Sequence, residues 1–124
     1  MRSAEQILRE ARTIAVVGAS DDPARPSYGV MRYLERVGYR ILPVNPNCPD
    51  FAPSLAALEE PVDLVDVFRR PEYCADVARD AAAIGAPALW LQLGIRSEEA
   101  RRIAEDAGMD YVENACTAVV HRFI

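Results

Sequence analysis

The chain contains no lysine; all 14 of its Lys/Arg positions are arginine. A Walker A loop, G-x-x-x-x-G-K-[ST], is therefore absent, which argues against ATP or GTP hydrolysis. The arginine bias itself is read as base composition or a thermophilic source and carries no functional weight. Histidine is also scarce: His121, near the end, is the only one. It is expected to be packed or solvent-facing, and no spacing of His, Cys, Asp and Glu suggests a metal. Cys48, Cys74 and Cys116 are odd in number, widely spaced and form no C-x-x-C pair. Neither a disulfide framework nor a zinc pattern is expected. No apolar run approaches the roughly 20 residues of a membrane span. The opening "MRSAEQILREART" reads as an amphipathic helix without the apolar centre of a signal peptide. The expectation is a reduced, cytoplasmic protein with one domain over 1–124. A net charge of −5 argues against general binding to nucleic acid or an anionic membrane. It leaves room for a local arginine cluster that holds one phosphate ligand.

Apolar residues make up 51% of the chain, enough for a core. "TIAVVGA" (13–19) is a continuous β-branched run, as expected for a strand buried on both faces. Val30, Met31, Leu34 and Val37 fall at helical spacing over 28–38, with Ser27 as cap and Gly38 as stop. Strands are read at 39–44, 62–68, 87–93 and 110–114. Helices are read at 3–12, 54–60, 71–85 and 97–108, with a helical turn in the tail "TAVVHRF". In the 71–85 helix, Tyr73, Val77, Ala81 and Ile84 are expected on the buried face. Alternation of strand and helix implies a parallel sheet with right-handed crossovers. The predicted fold is α/β: a Rossmann-type three-layer α/β/α sandwich with a five-stranded parallel sheet in the order 3-2-1-4-5. Its crevice is expected at the carboxyl ends of strands one and four, where the order reverses.

The strand ends collect Gly18-Ala19-Ser20, Val44-Asn45-Pro46, Phe68-Arg69-Arg70 and Gln92-Leu93-Gly94 at one edge, with Asn114 and Cys116 more peripheral. Gly18 is read as a place where a ligand approaches the backbone closely. Ser20 and Ser27 offer hydroxyls, and the helix starting near Tyr28 offers free N–H groups and a positive dipole end. Arg25, Arg69 and Arg70 add full charges. Such an assembly suits phosphate. A dinucleotide fingerprint needs G-x-G-x-x-G and an acid about 20 residues on. Here Gly18 is followed by Ala19, Ser20, Asp21, Asp22 and Pro23, and the second strand ends in Asn45. Both departures weaken the case for a nicotinamide cofactor. Asp63 and Asp66, three apart in "VDLVDVF", fall on opposite strand faces and are not expected to cooperate as a carboxylate pair.

The ordered set "VVGAS", "PVNP", "VDVFRRPE" and "LWLQLG" resembles the small single-domain CoA-binding proteins, which are similar to the CoA-binding domain of the succinyl-CoA synthetase α subunit. The resemblance runs from about residue 12 to the end. It implies a Rossmann-type fold and coenzyme A as the ligand. It further implies that Gly18, Ala19, Ser20 and the stretch Arg25, Pro26, Ser27 and Tyr28 contact the CoA phosphates. Asn45, Pro46, Phe68 and Arg69 would border the nucleotide, and Gln92, Leu93 and Gly94 would lie near the pantetheine route. The family's insert after "PVNP" is shortened here to "NCPDFAP". The synthetase uses a phosphorylated histidine outside this domain, and nothing in the chain replaces it. The expected function is therefore CoA or acyl-CoA binding without catalysis. The alternatives are an NAD(H)-binding redox protein or sensor, and an orphaned subunit of an acyl-CoA synthetase. A protein partner or homo-oligomer remains open. Cys116 is the one thiol placed to meet that of CoA.

Overall fold

A computed structural model describes residues 1–124. The elements follow in the order α1 (Ala4–Glu10), β1 (Thr13–Val17), α2 (Pro26–Arg36), β2 (Arg40–Val44), a 3-10 turn (Leu55–Ala57), β3 (Leu64–Val67), α3 (Pro71–Ala83), β4 (Ala88–Leu91), α4 (Glu98–Asp106), β5 (Asp110–Val112) and α5 (Thr117–Arg122). All strand pairings are parallel. The α/β Rossmann-like class expected from the strand–helix alternation is the class observed.

The strand order is not the expected one. It is β2-β1-β3-β4-β5, which puts β2 at the edge and β3 beside β1. Pro43 supplies the physical reason. Its carbonyl points outward and accepts from the Ala52 amide at 3.2 Å. Its ring nitrogen, which cannot donate, therefore also lies on the outer side, where no ladder bond is lost. An interior β2 would have needed that bond. Burial agrees: only Val44 is buried in β2, whereas all four residues of β3 are. The topological switch thus lies between β1 and β3, and the crevice is expected outside their carboxyl ends rather than those of β1 and β4.

Alternate residues of the strands feed two cores, as parallel strands covered on both faces require. Ile14, Val16, Leu64 and Trp90 pack with Ile7 and Leu8 of α1 and Met31 and Leu34 of α2. Ala15, Val17, Val65, Val67, Leu89 and Leu91 pack with α3 and α4. No helix is long and apolar enough to cross a membrane.

Local differences from the expected elements have local causes. Helix α2 starts earlier, with Pro26 at its first position and Arg25 as cap, so Ser27 lies inside the first turn and is not the cap. Proline's fixed φ favours that first position. The expected helix over 54–60 shrinks to the three-residue turn, because Leu58 is already extended and Pro61 disfavours helical geometry just before it. In α3 the sheet-facing residues are Cys74, Val77, Ala78 and Ala81. Tyr73 is instead 43% exposed.

Candidate functional site

At the carboxyl ends of β1 and β3 the chain is drawn close to itself. Gly18 has φ +84°, and a Cβ there would lie 2.3 Å from the Phe68 carbonyl oxygen and 2.9 Å from its carbon. The sequence suggests that the missing side chain of Gly18 makes room for a ligand; the Phe68 backbone takes that space instead. The Gly18 amide donates to Val44 O at 3.0 Å, and the Phe68 amide to Val17 O at 2.8 Å. Three strand ends are thereby locked together. Arg69 emerges from this junction with its guanidinium 4.5 Å from the centroid of the Tyr73 ring. That is a cation–π geometry, and it fixes the arginine without neutralising it. Arg69 takes part in none of the chain's ion pairs.

Beside Arg69 lies a cleft of about 230 Å³. Val17 and Gly18 form one wall, Val44 and Pro46 another, and Leu55 and Tyr73 close the sides. Asp76 and Asp80 also line it; Asp76 is paired with Arg79 at 2.8 Å, and Asp80 enters no ion pair. The site thus combines apolar walls, one unpaired cation, one unpaired carboxylate and an aromatic face. Tyr73 is not among the site residues expected from the sequence; its place one turn after Arg69 at the start of a helix is the signal that could have found it.

The loop from β1 to α2 forms the second half of the edge. Ser20 Oγ accepts from the Asp22 amide at 3.0 Å, and Asp22 Oδ1 accepts from the Ala24 amide at 2.9 Å. The Ser20 hydroxyl keeps its own proton to donate. Arg25 and Pro26 are exposed, Tyr28 is half-buried and Ser27 is 4% exposed. The first turn of α2 carries no acidic residue, so its positive dipole end is unopposed there. Asp21 and Asp22 are exposed in the loop just before it. Arg70 is exposed and caps α3.

Other predicted residues serve the frame. Asn45 Nδ2 donates to the Ala19 carbonyl at 2.8 Å, and Asn45 Oδ1 accepts from the Asn47 amide at 2.9 Å. Asparagine is needed because the contact to Ala19 requires a donor, which a carboxylate lacks. Ala19 itself is fully buried. Leu93 is 70% exposed. The Gly94 amide donates to Asn114 Oδ1 at 2.7 Å. Cys116 is half-buried and caps α5.

Gln92 points into the protein rather than along a ligand route. Its Nε2 donates to Asp66 Oδ1 at 2.7 Å and to Thr117 Oγ1 at 2.8 Å, and the Thr117 hydroxyl donates to Asp66 Oδ2 at 3.1 Å. The closed triangle joins β3, the end of β4 and α5. Burial pushes the Asp66 carboxyl up to about 7, against the pull of its hydrogen bonds to Gln92 and Thr117. Asp63, as expected, lies apart: it holds the Arg12 and Thr13 amides at 2.9 Å at the other end of the strands. His121 is packed edge-to-face against Tyr33 and Tyr39.

Known proteins resemble this chain in sequence and fold. The chain is 36% identical over 122 residues to the uncharacterised protein YneT of Bacillus subtilis, covering 94% of this chain and 90% of that one. The solved structure of cell-free ID.343 from Thermus thermophilus matches with a TM-score of 0.92 and 39% identity over 98% of both chains. The apo form of a dinucleotide-forming acetyl-coenzyme A synthetase from Ca. Korarchaeum cryptofilum matches with a TM-score of 0.70 and 25% identity, over 82% of this chain but 26% of that one. Residues 12–122 match the family model of the CoA binding domain. With a Rossmann-like sheet and a cleft beside Arg69 at its switch point, the chain belongs to the CoA binding domain family.

Proposed function

We propose that the chain binds coenzyme A or an acyl-CoA across the carboxyl edge of β1 and β3, as a binding module without a catalytic step of its own. The observation that carries this reading is Arg69: an unpaired guanidinium held over Tyr73 at the mouth of an apolar cleft. Family membership supplies the ligand class.

The donor set fits the ligand. CoA carries a diphosphate and a 3′-phosphate, so it needs several positive or donating groups. Arg25, Arg69 and Arg70, the Ser20 and Ser27 hydroxyls and the start of α2 supply them. The cleft, at about 230 Å³, is smaller than the roughly 300–1,000 Å³ of pockets that engulf a ligand. It would therefore take only the adenosine end, with the flat base against Val17, Val44 and Pro46 and the ribose phosphate near Arg69. Gly18 and Ala19 would border the diphosphate through their backbone, with Pro26 and Tyr28 at the head of α2 beside them. Asn45 and Phe68 would act through the loops they hold. The pantetheine arm would run outward over the exposed Leu93 and Gly94, and Gln92 would support that edge from inside. When bound, CoA supplies a thiol that carries acyl groups; the chain's residues orient and hold it. Cys116, at the head of α5, is the thiol to test for exchange with CoA disulfide, in which its thiolate would form the mixed disulfide and release one CoA thiol.

Isothermal titration with CoA, acetyl-CoA, NAD and ATP tests the proposal. Saturable heat is expected with the first two. Absence of heat with CoA at millimolar concentration, with NAD bound instead, would refute it. Native mass spectrometry of the purified protein would identify a retained ligand by its mass.

A further inference from the structure

The amino-terminal edge of the sheet carries a second and larger concavity, of about 660 Å³. It is formed by the end of α1, the end of α2 and the start of β2, with the last turn of α5 as a wall. Leu8, Val37 and Tyr39 give it an apolar lining, while Arg9, Arg12 and Arg40 bring three guanidinium groups to it. Its volume falls within the range of ligand pockets.

The charges there are unevenly matched. Arg40 is neutralised by a two-point pair with Glu60. Neither Arg9 nor Arg12 enters any ion pair of the chain. Of the nearby carboxylates, Glu10 pairs with Arg2 at 2.8 Å, Asp63 accepts from the backbone amides of residues 12 and 13, and Glu5, one turn before Arg9 on α1, forms no ion pair with either arginine. Arg9 and Arg12 thus set two unmatched cations beside an apolar lining. The wall is also firmly built. His121 Nδ1 lies 2.8 Å from the Tyr33 hydroxyl, and the ring stands edge-to-face between Tyr33 and Tyr39 at 5.5 and 5.7 Å. Nε2 is left as the imidazole's remaining polar atom. Val37 is 41% exposed, an apolar side chain that water must otherwise cover.

We propose that this groove binds a small amphipathic anion, a carboxylate or phosphate monoester with an apolar tail. The charged end sits at Arg9 and Arg12, and the tail lies along Val37 and Tyr39. The groove lies at the opposite end of the strands from the proposed CoA site, so the two would be occupied independently.

Octanoate and octyl phosphate are suitable probes, with acetate and octanol as controls lacking the tail or the charge. Titration of the intact protein followed by NMR should give saturable shifts at Val37, Tyr39 and His121 with the two amphiphiles. Acetate should give none, and octanol should bind more weakly. The tighter of the two amphiphiles identifies the head group. The double variant R9Q/R12Q changes exposed side chains only and should weaken binding about threefold to tenfold, as two partly solvated charge contacts would. R36Q, which removes a charge outside the groove, should leave it unchanged. Equal binding of octanol and octanoate, full retention of affinity in R9Q/R12Q, or displacement of octanoate by CoA would each overturn the proposal.

Discussion

Gly18→Ala tests the junction on which the site depends. Two costs are separable. At φ +84° an alanine pays the left-handed backbone penalty of about 1–2 kcal/mol. Its Cβ would also stand 2.3 Å from the Phe68 carbonyl oxygen, which is backbone and cannot rotate aside. Forcing such an overlap typically costs about 1–3 kcal/mol through displacement of the neighbouring chain. The expected loss is therefore roughly 2–5 kcal/mol, against a typical domain stability of about 5–15 kcal/mol. Gly85→Ala is the control: its φ is +75°, but nothing lies within 4 Å of the added carbon, so only the first cost applies. Urea unfolding of both variants isolates the clash as the difference, about 1–3 kcal/mol. The same displacement would move Arg69, which follows Phe68 directly, so CoA affinity should fall in Gly18→Ala and hold in Gly85→Ala. Equal stability losses in the two variants would show that the Phe68 backbone yields freely. The account of a locked junction would then be wrong.

Three further outcomes are expected. Arg69→Ala should weaken CoA tenfold or more, since a charge-assisted contact is worth roughly 1.5–3 kcal/mol, less where water reaches it. A smaller loss with dephospho-CoA would assign Arg69 to the 3′-phosphate; equal losses would move it to the diphosphate or out of the site. Asn45→Asp replaces the donor to the Ala19 carbonyl with a carboxylate and should cost about 1–3 kcal/mol in urea melts without creating NAD affinity. A gain in NAD binding by calorimetry would instead revive the dinucleotide reading. Asp66→Asn should change the pH profile of stability. The Asp66 carboxyl is raised from 3.8 to about 7, so its contribution is fully present below about pH 4 and is lost as pH rises to about 7. The difference between wild type and variant should drift over that window by a few kcal/mol, since each tenfold change in proton affinity is worth about 1.4 kcal/mol. Parallel melting curves from pH 4 to 8 would contradict the buried, up-shifted carboxyl.

Most elements were legible because their signals are local, the start of α2 and the 54–60 segment excepted. A β-branched run marked β1 and short apolar runs the other strands, and Pro71, Ser97 and the glycines after α2, α3 and α4 marked the helix ends. Strand order was not legible from apolar pattern alone, since 39–44 and 62–68 both read as strands. The discriminating residue was Pro43, whose missing donor belongs on an edge. The role of Gln92 was misjudged for a related reason. A polar residue at a strand end looks available to a ligand, yet residue 92 shares its face with Trp90, and Asp66 shares that of Leu64. Strand parity therefore places both in the same buried layer, where each is the other's partner. The depth of that layer under α5, and the donation from Thr117, depend on contacts distant in sequence.

The polar residues at the sheet's carboxyl edge divide into two sets with different work. Asn45, Gln92 and Asn114 use their hydrogen bonds inside the protein, tying the loop after β1 to that after β2, the end of β4 to β3 and α5, and the loop after β4 to that after β5. Arg25 stands on the loop after β1 so tied, while Arg69 and Arg70 follow Phe68, whose amide donates to Val17 O; none of the three enters an ion pair. A cation on a mobile loop would lose conformational freedom when an anion arrived, and that loss subtracts from affinity. Here the loops are ordered before any ligand binds, and Arg69 is further fixed by Tyr73. The residues that look most like ligand contacts in the sequence thus act by holding still the few that remain free to be contacts.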